Sequence, residues 1–585
     1  MAGAGHDHQL AVDRTPSTFR RSVMSPIRQL RRVAGSVAVL LLLMPSAGTA
    51  QRGGRGGADI PISPEAAADR IFAQFNSTHS PGCAVGMAQS GRTTLMRGYG
   101  MANLETNSPI TATTIFESGS VAKQFTSAAI AILMKDGKVN IDDPVRKYIP
   151  ELPEYPQPLL IRHLLSHTSG LREWSNLVAL AGWPRGTRVH SQPDLLEYIT
   201  AQKSLNYPVG DFYSYTNSGF ALLPTIIERV SGMSFVQFSE ERIFRPLGLT
   251  NTHWRDDFRT IVPGRAQAYA RRAGDPVGWE LDMPFENVNG PGGLLTTVTD
   301  WLKWNEHLDK KTLGSNVVDS LTKQTMLTSG RTIAYARGLI VNTYRGINEI
   351  QHSGSTGGYS TFIARYPEKN LSIAVLCNAA GAPATQFTRG LVDALVPGLA
   401  PVIAPDTVAT DPAAAAKLSG MYRSLRTHDP LVVGNAGGRG GRGGMPLRSL
   451  RDGGWMLGNN RALFESRPDG TPRGVRVLAA DNDTVAYAFV ATTPWAPTTE
   501  QLAAFAGRYH SDEIHATWIV KVENGRLAAS IRGAMRTELT PLYTDAFAAG
   551  ASLGTVWFTR NATGGVTAMH SGSARVWDLT FTREK

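Results

Sequence analysis

Near residue 396 the pattern of the chain changes. Upstream, helical and strand-like stretches mix; downstream of VPGLAPVIAPDTVATDP (396–412) helix signals nearly vanish and period-two runs take over. A stretch so rich in proline and small residues interrupts helix and sheet alike, so it separates two folding regimes. At 585 residues the chain also exceeds what one core holds, since single cores stop growing near roughly 250–300 residues. The sequence therefore predicts an α+β domain over residues 63–397, a linker over 398–412, and β modules over 413–498 and 499–585.

The downstream half carries clear strand signals. TWIVKVENGRLAASI (517–531) alternates with period two around Asn524-Gly525, a strong hairpin signal. GTVWFTR (554–560) and RVWDLTF (575–581) add strands. LSGMYRS (418–424) and FAGRYHS (505–511) share a Gly-x-Tyr at a helix exit, which suggests two copies of a small, lipocalin-like β-barrel. The tryptophans and tyrosines of these modules are assigned to their cores. GGRGGRGG (437–444) fits a dinucleotide-binding glycine pattern by low complexity alone, without the strand-to-helix context, and is read as a loop.

Residues 1–50 read as a secretory signal: arginines at 20, 21, 28, 31 and 32 precede the apolar run Val33–Met44, and small residues end in Gly48-Thr49-Ala50. That run is 12 residues long, too short to span a bilayer. QRGGRGG opens a tether over 51–62. The expectation is an exported protein, periplasmic or secreted, with no stable membrane span once the signal is removed. The formal charge of +11 is concentrated here, because Met1–Gly57 holds eight arginines against Asp7 and Asp13, leaving about +5 for the rest. Charge gives no reason to expect a nucleic-acid partner. Only Cys83 and Cys377 are present, each in a strand-like run; two buried thiols are the preferred reading, with one bridge between them left open.

FESGSVAKQF (116–125) places Ser120 and Lys123 at i and i+3, on one face of a helix start. An alcohol is a poor nucleophile until something takes its proton. A lysine of pKa about 10.4 is neutral in only about one molecule in a thousand near pH 7.4. Serving as base requires a fall of about three units, which burial and neighbouring charge can supply. VAKQFTSAAIAILM around Lys123 is apolar enough for that. The same spacing recurs in Ser320-Leu321-Thr322-Lys323, read as a solvated helix face. What distinguishes the first copy is its company: Tyr215-Thr216-Asn217 in YSYTNSGF, and His352-Ser353-Gly354 on a strand in QHSGSTGGYSTFIARYPE. A second His-Ser-Gly, 570–572, lacks the Thr-Gly-Gly-Tyr continuation. His163 and His167 stand at i and i+4 without the glutamate of H-E-x-x-H and are read as structural loop residues.

Taken in order, Ser-x-x-Lys, Tyr-x-Asn and His-Ser-Gly resemble the class C β-lactamase-like serine hydrolases, penicillin-binding-protein-like enzymes of peptidase family S12 that include D-aminopeptidases, D-Ala-D-Ala carboxypeptidases and esterases. LLSHTSGL (164–171), NGPGGLLTTVTDWLKW (289–304) and PEKNLSIAVLCN (367–378) extend the resemblance over roughly 65–397. It implies an antiparallel sheet flanked by helices plus an all-helical lobe, with the site between them. It also implies roles: Ser120 as nucleophile, Lys123 assisting its deprotonation, Tyr215 as proton shuttle, and Asn217 hydrogen-bonding the substrate. The backbone N–H groups of Ser120 and Ser355 would form an oxyanion hole, with His352, Ser353 and Gly354 lining the substrate strand. No cofactor and no metal are implied. Where class C β-lactamases carry Lys-Thr-Gly, this chain has His352-Ser353-Gly354, and a histidine near pKa 6.5 offers no fixed charge to a substrate carboxylate. The expected substrates are D-amino-acid amides, peptides or carboxylic esters, including cell-wall-derived peptides. β-Lactamase or D-Ala-D-Ala carboxypeptidase activity, and a non-catalytic binding protein on the same fold, stand as alternatives.

Overall fold

The run CAVGMA, buried on both faces, becomes a central strand. The structure, a computed structural model, describes residues 62–276, 278–434, 444–478, 487–533 and 535–585. The signal segment, nearly all of the tether, and all but the last residue of the 437–444 loop lie outside them. Helix α1 (Pro64–Ile71) is capped by Ser63, whose hydroxyl accepts from Ala66 N at 3.2 Å. Strands β1 (Cys83–Gln89) and β2 (Arg92–Tyr99) follow, then helices α2 (Lys123–Lys135), α3 (Asn217–Ser231) and α4 (Val298–Asp309). The sheet is completed by β3 (Ile340–Tyr344), β4 (Ile347–Thr356), β5 (Tyr359–Tyr366) and β6 (Leu371–Cys377), and helix α5 (Ala384–Leu395) closes the domain. The six strands pair antiparallel in the order β3-β4-β5-β6-β1-β2.

Period-two alternation divides this sheet between two cores. Cys83, Val85 and Met87 of β1, with Ile373, Val375 and Cys377 of β6, face α1 and α5. Ala84, Ala374 and Leu376 face the opposite way, toward the larger core that holds α2, α3 and α4. Helix α2 is buried at every residue from Lys123 to Leu133, the polar Lys123, Gln124, Thr126 and Ser127 included. Gln124 accepts from Trp304 Nε1 at 3.0 Å and Thr126 donates to Gly290 O at 2.8 Å.

For the two cysteines the structure selects the bridge over the preferred reading of free thiols. They face each other in the antiparallel register of β1 and β6 and are joined by a disulfide. Each strand reads as buried by itself; their adjacency appears only when the sheet brings together residues separated by 294 positions.

Beyond α5 the two Gly-x-Tyr sites adopt the same local structure. Helices Pro412–Leu418 and Thr499–Ala503 lead into strands Gly420–Ser424 and Gly507–Ser511. Tyr422 donates its hydroxyl to Leu418 O at 2.6 Å, and Tyr509 to Phe505 O at 2.7 Å, four residues back in both cases. Among the described residues the first module lies in an eight-stranded sheet, and the second is a closed eight-stranded barrel. Within the stretch read as linker, Thr407–Val408 pairs with Ser449 and Leu450 of the first module; two residues are too few to show a period. Asn524 and Gly525 both take positive φ, +52° and +74°, in the expected hairpin. The barrel core, with Trp518 and Phe505 fully buried, runs on into Leu177, Leu180 and Ala181 of the helical lobe. Trp518 Nε1 donates to Leu180 O at 2.9 Å, and Arg172 forms an ion pair with Glu513 at 2.8 Å.

Candidate active site

Ser120 lies in a single 3-10 turn, Gly119–Ala122, that runs into α2. The turn can touch the sheet because two glycines meet there. Gly119 has φ +55°, and a Cβ on it would sit 2.6 Å from Ser355 N. A Cβ on Gly354 of β4 would sit 2.1 Å from Ser118 O. Thr361 of β5 fastens the junction by donating to the same Ser118 carbonyl at 2.8 Å. The Ser353-Gly354-Ser355 strand is thereby laid beside Ser120, which stays partly exposed.

Lys123 is wholly buried. Its Nζ reaches Ser120 Oγ at 3.1 Å, Asn217 Oδ1 at 2.9 Å and Pro291 O at 2.7 Å. Burial holds the amine well below the ordinary lysine range, with Glu173 pulling it up and Arg575 pushing it further down. The amine also lies 4.9 Å from the centroid of the Tyr215 ring. The Tyr215 hydroxyl is buried without a hydrogen-bond partner among the described residues. Burial raises its pKa, and the neighbouring Ser120 hydroxyl offsets part of that rise. Amine and phenol thus flank one serine oxygen, and burial favours the neutral form of each. One can accept a proton while the other donates, as acyl transfer requires.

Two expected substrate contacts are occupied within the protein. Asn217, the first residue of α3, accepts from Lys123 and gives its Nδ2 to Glu173 Oε1 at 3.2 Å. His352 is only 2% exposed, with Nε2 3.1 Å from Tyr335 O–H and Nδ1 2.6 Å from Ser353 O. Burial lowers its pKa to about 3, so β4 brings no fixed cation to the cleft. His167 packs between Tyr215, at 4.1 Å between ring centroids, and Tyr335, at 4.5 Å; it supports the phenol from behind. His163 Nδ1 accepts from Leu160 N at 3.1 Å as a helix-start contact. Among the described residues no group of His, Cys, Asp or Glu is arranged to hold a metal.

The alternative motifs lead elsewhere. Ser320 accepts from the Arg337 guanidinium, and Lys323 falls past the end of helix Ser315–Thr322. His570 pairs with Asp578 at 2.8 Å on the barrel. Residues missed from sequence are Glu173, the Pro291 carbonyl, Tyr335 and Arg575. Glu173 is fully buried and accepts from Asn217 N at 2.5 Å and Thr216 Oγ1 at 3.2 Å. The one hint was its position, a lone acid directly after HTSGLR and before the apolar WSNLVAL.

Residues 68–396 match the family described as Beta-lactamase. Penicillin-binding protein 4* of Bacillus subtilis (strain 168) is 26% identical over 329 residues, covering 53% of this chain and 70% of that protein. The D-aminopeptidase of Gluconobacter oxydans (strain 621H) is 26% identical over 338 residues, covering 57% of this chain and 61% of its own. For the D-aminopeptidase of Cereibacter sphaeroides (strain KD131 / KCTC 12085) the identity is 26% over 470 residues, covering 78% of this chain and 85% of that one. The solved structure of the octameric penicillin-binding protein homologue from Pyrococcus abyssi aligns with a TM-score of 0.50 at 20% identity, over 89% of this chain and 99% of that chain, and shares the fold. The match across more than half of the sequence, on a sheet that brings Ser120, Lys123 and Tyr215 together, establishes that the chain belongs to the beta-lactamase family.

Proposed function

We propose that the chain is a serine hydrolase that forms an acyl-enzyme at Ser120 and cleaves amide or ester bonds. The observation that carries this reading is the buried Lys123 amine, which burial shifts toward its neutral form and which lies 3.1 Å from Ser120 Oγ. Lys123 Nζ takes the hydroxyl proton as Oγ bonds to the substrate carbonyl carbon. The resulting oxyanion is received by the backbone N–H groups of Ser120 and Ser355, a donor type worth roughly 3–4 kcal/mol of transition-state stabilisation. Tyr215 gives its proton to the leaving amine or alcohol as that bond breaks; water then attacks the acyl carbon and gives a proton to the phenolate, while the bond to Oγ breaks and Lys123 returns its proton to Oγ. A neutral His352 disfavours substrates that need a fixed cation on β4, and the D-aminopeptidase match extends past the catalytic domain. Both support D-amino-acid amides or peptides, cell-wall fragments among them, or carboxylic esters. The Cys83–Cys377 bridge supports an exported location, because disulfides persist in oxidising compartments.

The test is intact-protein mass spectrometry after treatment with a fluorophosphonate, a penicillin and a p-nitrophenyl ester, alongside turnover of D-alanine amide. We expect one fluorophosphonate adduct on the wild type, none on Ser120→Ala, and no turnover by that variant. A durable penicillin adduct would favour the penicillin-binding reading. No adduct with any reagent would leave a non-catalytic binding protein.

A further inference from the structure

Strands β7 (Val566–Ser573) and β8 (Val576–Arg583) end the barrel, and the turn between them carries Arg575. This turn is tied to the helical lobe: Arg575 O accepts from Glu173 N at 3.3 Å and from Asn206 Nδ2 at 3.0 Å. The guanidinium carbon lies 5.2 Å from the centroid of the Tyr215 ring, and Nη1 lies 4.0 Å from Glu173 Oε2. The Glu173 side chain is fully buried, whereas that of Arg575 is 44% exposed. From Glu173 a short chain of bonds leads to the amine, through Asn217 Nδ2 and Asn217 Oδ1 to Lys123 Nζ.

A buried carboxylate so close to a lysine should hold a proton on it and spoil it as a base. Around Lys123, Ser120 and Asn217 are uncharged; Tyr215 and Tyr335 are kept protonated by burial, and His167 and His352 are kept neutral by it. Glu173 and Arg575 remain as the charges acting on the amine, with opposite signs. We infer that Arg575 is a positioning residue supplied to the catalytic centre by the C-terminal barrel: it balances Glu173, so that the Glu173–Asn217 pair can hold the Lys123 amine in place without fixing a proton on it. The inference rests on the hydrolase reading above and adds to it that the cleft is incomplete without the barrel.

The test is the pH dependence of Ser120 labelling by a fluorophosphonate, and of kcat/KM for an uncharged p-nitrophenyl ester, in the full chain. Removing the cation raises the pH at which Lys123 loses its proton. Arg575→Gln should therefore move the acid limb of both profiles up by about one pH unit, slow labelling at pH 7 severalfold, and leave KM for the uncharged ester unchanged. Arg575→Lys should keep the limb near its wild-type position, and Glu173→Gln should move it down, alone or combined with Arg575→Gln. An Arg575→Gln profile superimposable on wild type overturns the inference. So does a change in KM with the limb in place, which would make Arg575 a substrate contact. If Arg575→Gln does not fold, Glu173→Gln decides alone, and an unmoved limb overturns it. A wild type that labels at no pH sinks the hydrolase reading first, and this inference with it.

Discussion

Lys123 and Tyr215 owe their chemistry to what surrounds them. Burial strips water from the amine and leaves carbonyl and amide oxygens as its partners; the phenol keeps its proton because its anion would have no solvent. Replacing the phenol by phenylalanine keeps the packing against His167 and removes only the transferable proton. We expect Tyr215→Phe to lower kcat/KM for an amide by on the order of 10²-fold or more, with a smaller loss on a p-nitrophenyl ester, whose leaving group needs little protonation. Comparing the two substrates in one assay checks this. Ser120, Lys123, Tyr215 and Asn217 were legible in the sequence because short motifs fix their spacing. Glu173, Tyr335 and Arg575 were not, because their bearing on the site comes from folding: Glu173 precedes Asn217 by 44 residues, and Arg575 arrives from another domain.

At the scale of elements, the site depends on a 3-10 turn and a strand meeting with no side chain between them. The sequence indicated that β4 is a strand and that a helix starts at Ser120; it gave no sign that Gly119 and Gly354 face each other's neighbours. Gly354→Ala would drive a methyl group into Ser118 O and Thr361 Oγ1, where the space is 2.1 and 2.3 Å. The strand must then withdraw from Ser120. Because a displacement of about 1 Å can cost roughly 10²-fold in rate, we expect a loss of that order in kcat/KM, with a far-UV circular dichroism spectrum like the wild type. The β1 and β6 strands were readable from continuous apolar runs, whereas Thr407–Val408 was not, since pairing to a neighbouring sheet defines it.

In the whole molecule, one catalytic domain and one barrel share an apolar core through Leu177, Leu180 and Ala181, so the helical lobe is held from both sides. Acid should loosen it. Burial lowers His163 to about 4 and His352 to about 3, against 6.5 for an ordinary histidine. As pH falls below 6.5 the unfolded chain takes up protons that the folded chain refuses, so stability falls from there toward pH 4; above 6.5 these groups add no slope. We expect a lower midpoint of thermal unfolding at pH 5 than at pH 7.5, and a smaller difference in His352→Gln. The division into an α+β half and a β half was legible because helical and strand periods differ; the contact between the halves was not, because either apolar surface alone reads as ordinary core. The covalent path adds a last consequence. The bridge from Cys83 to Cys377 makes the intervening polypeptide a ring, and Ser120, Tyr215 and His352 all lie on it. A single protease cut in any loop of that ring opens it without releasing a fragment, so the three stay on one covalent body after the backbone is broken.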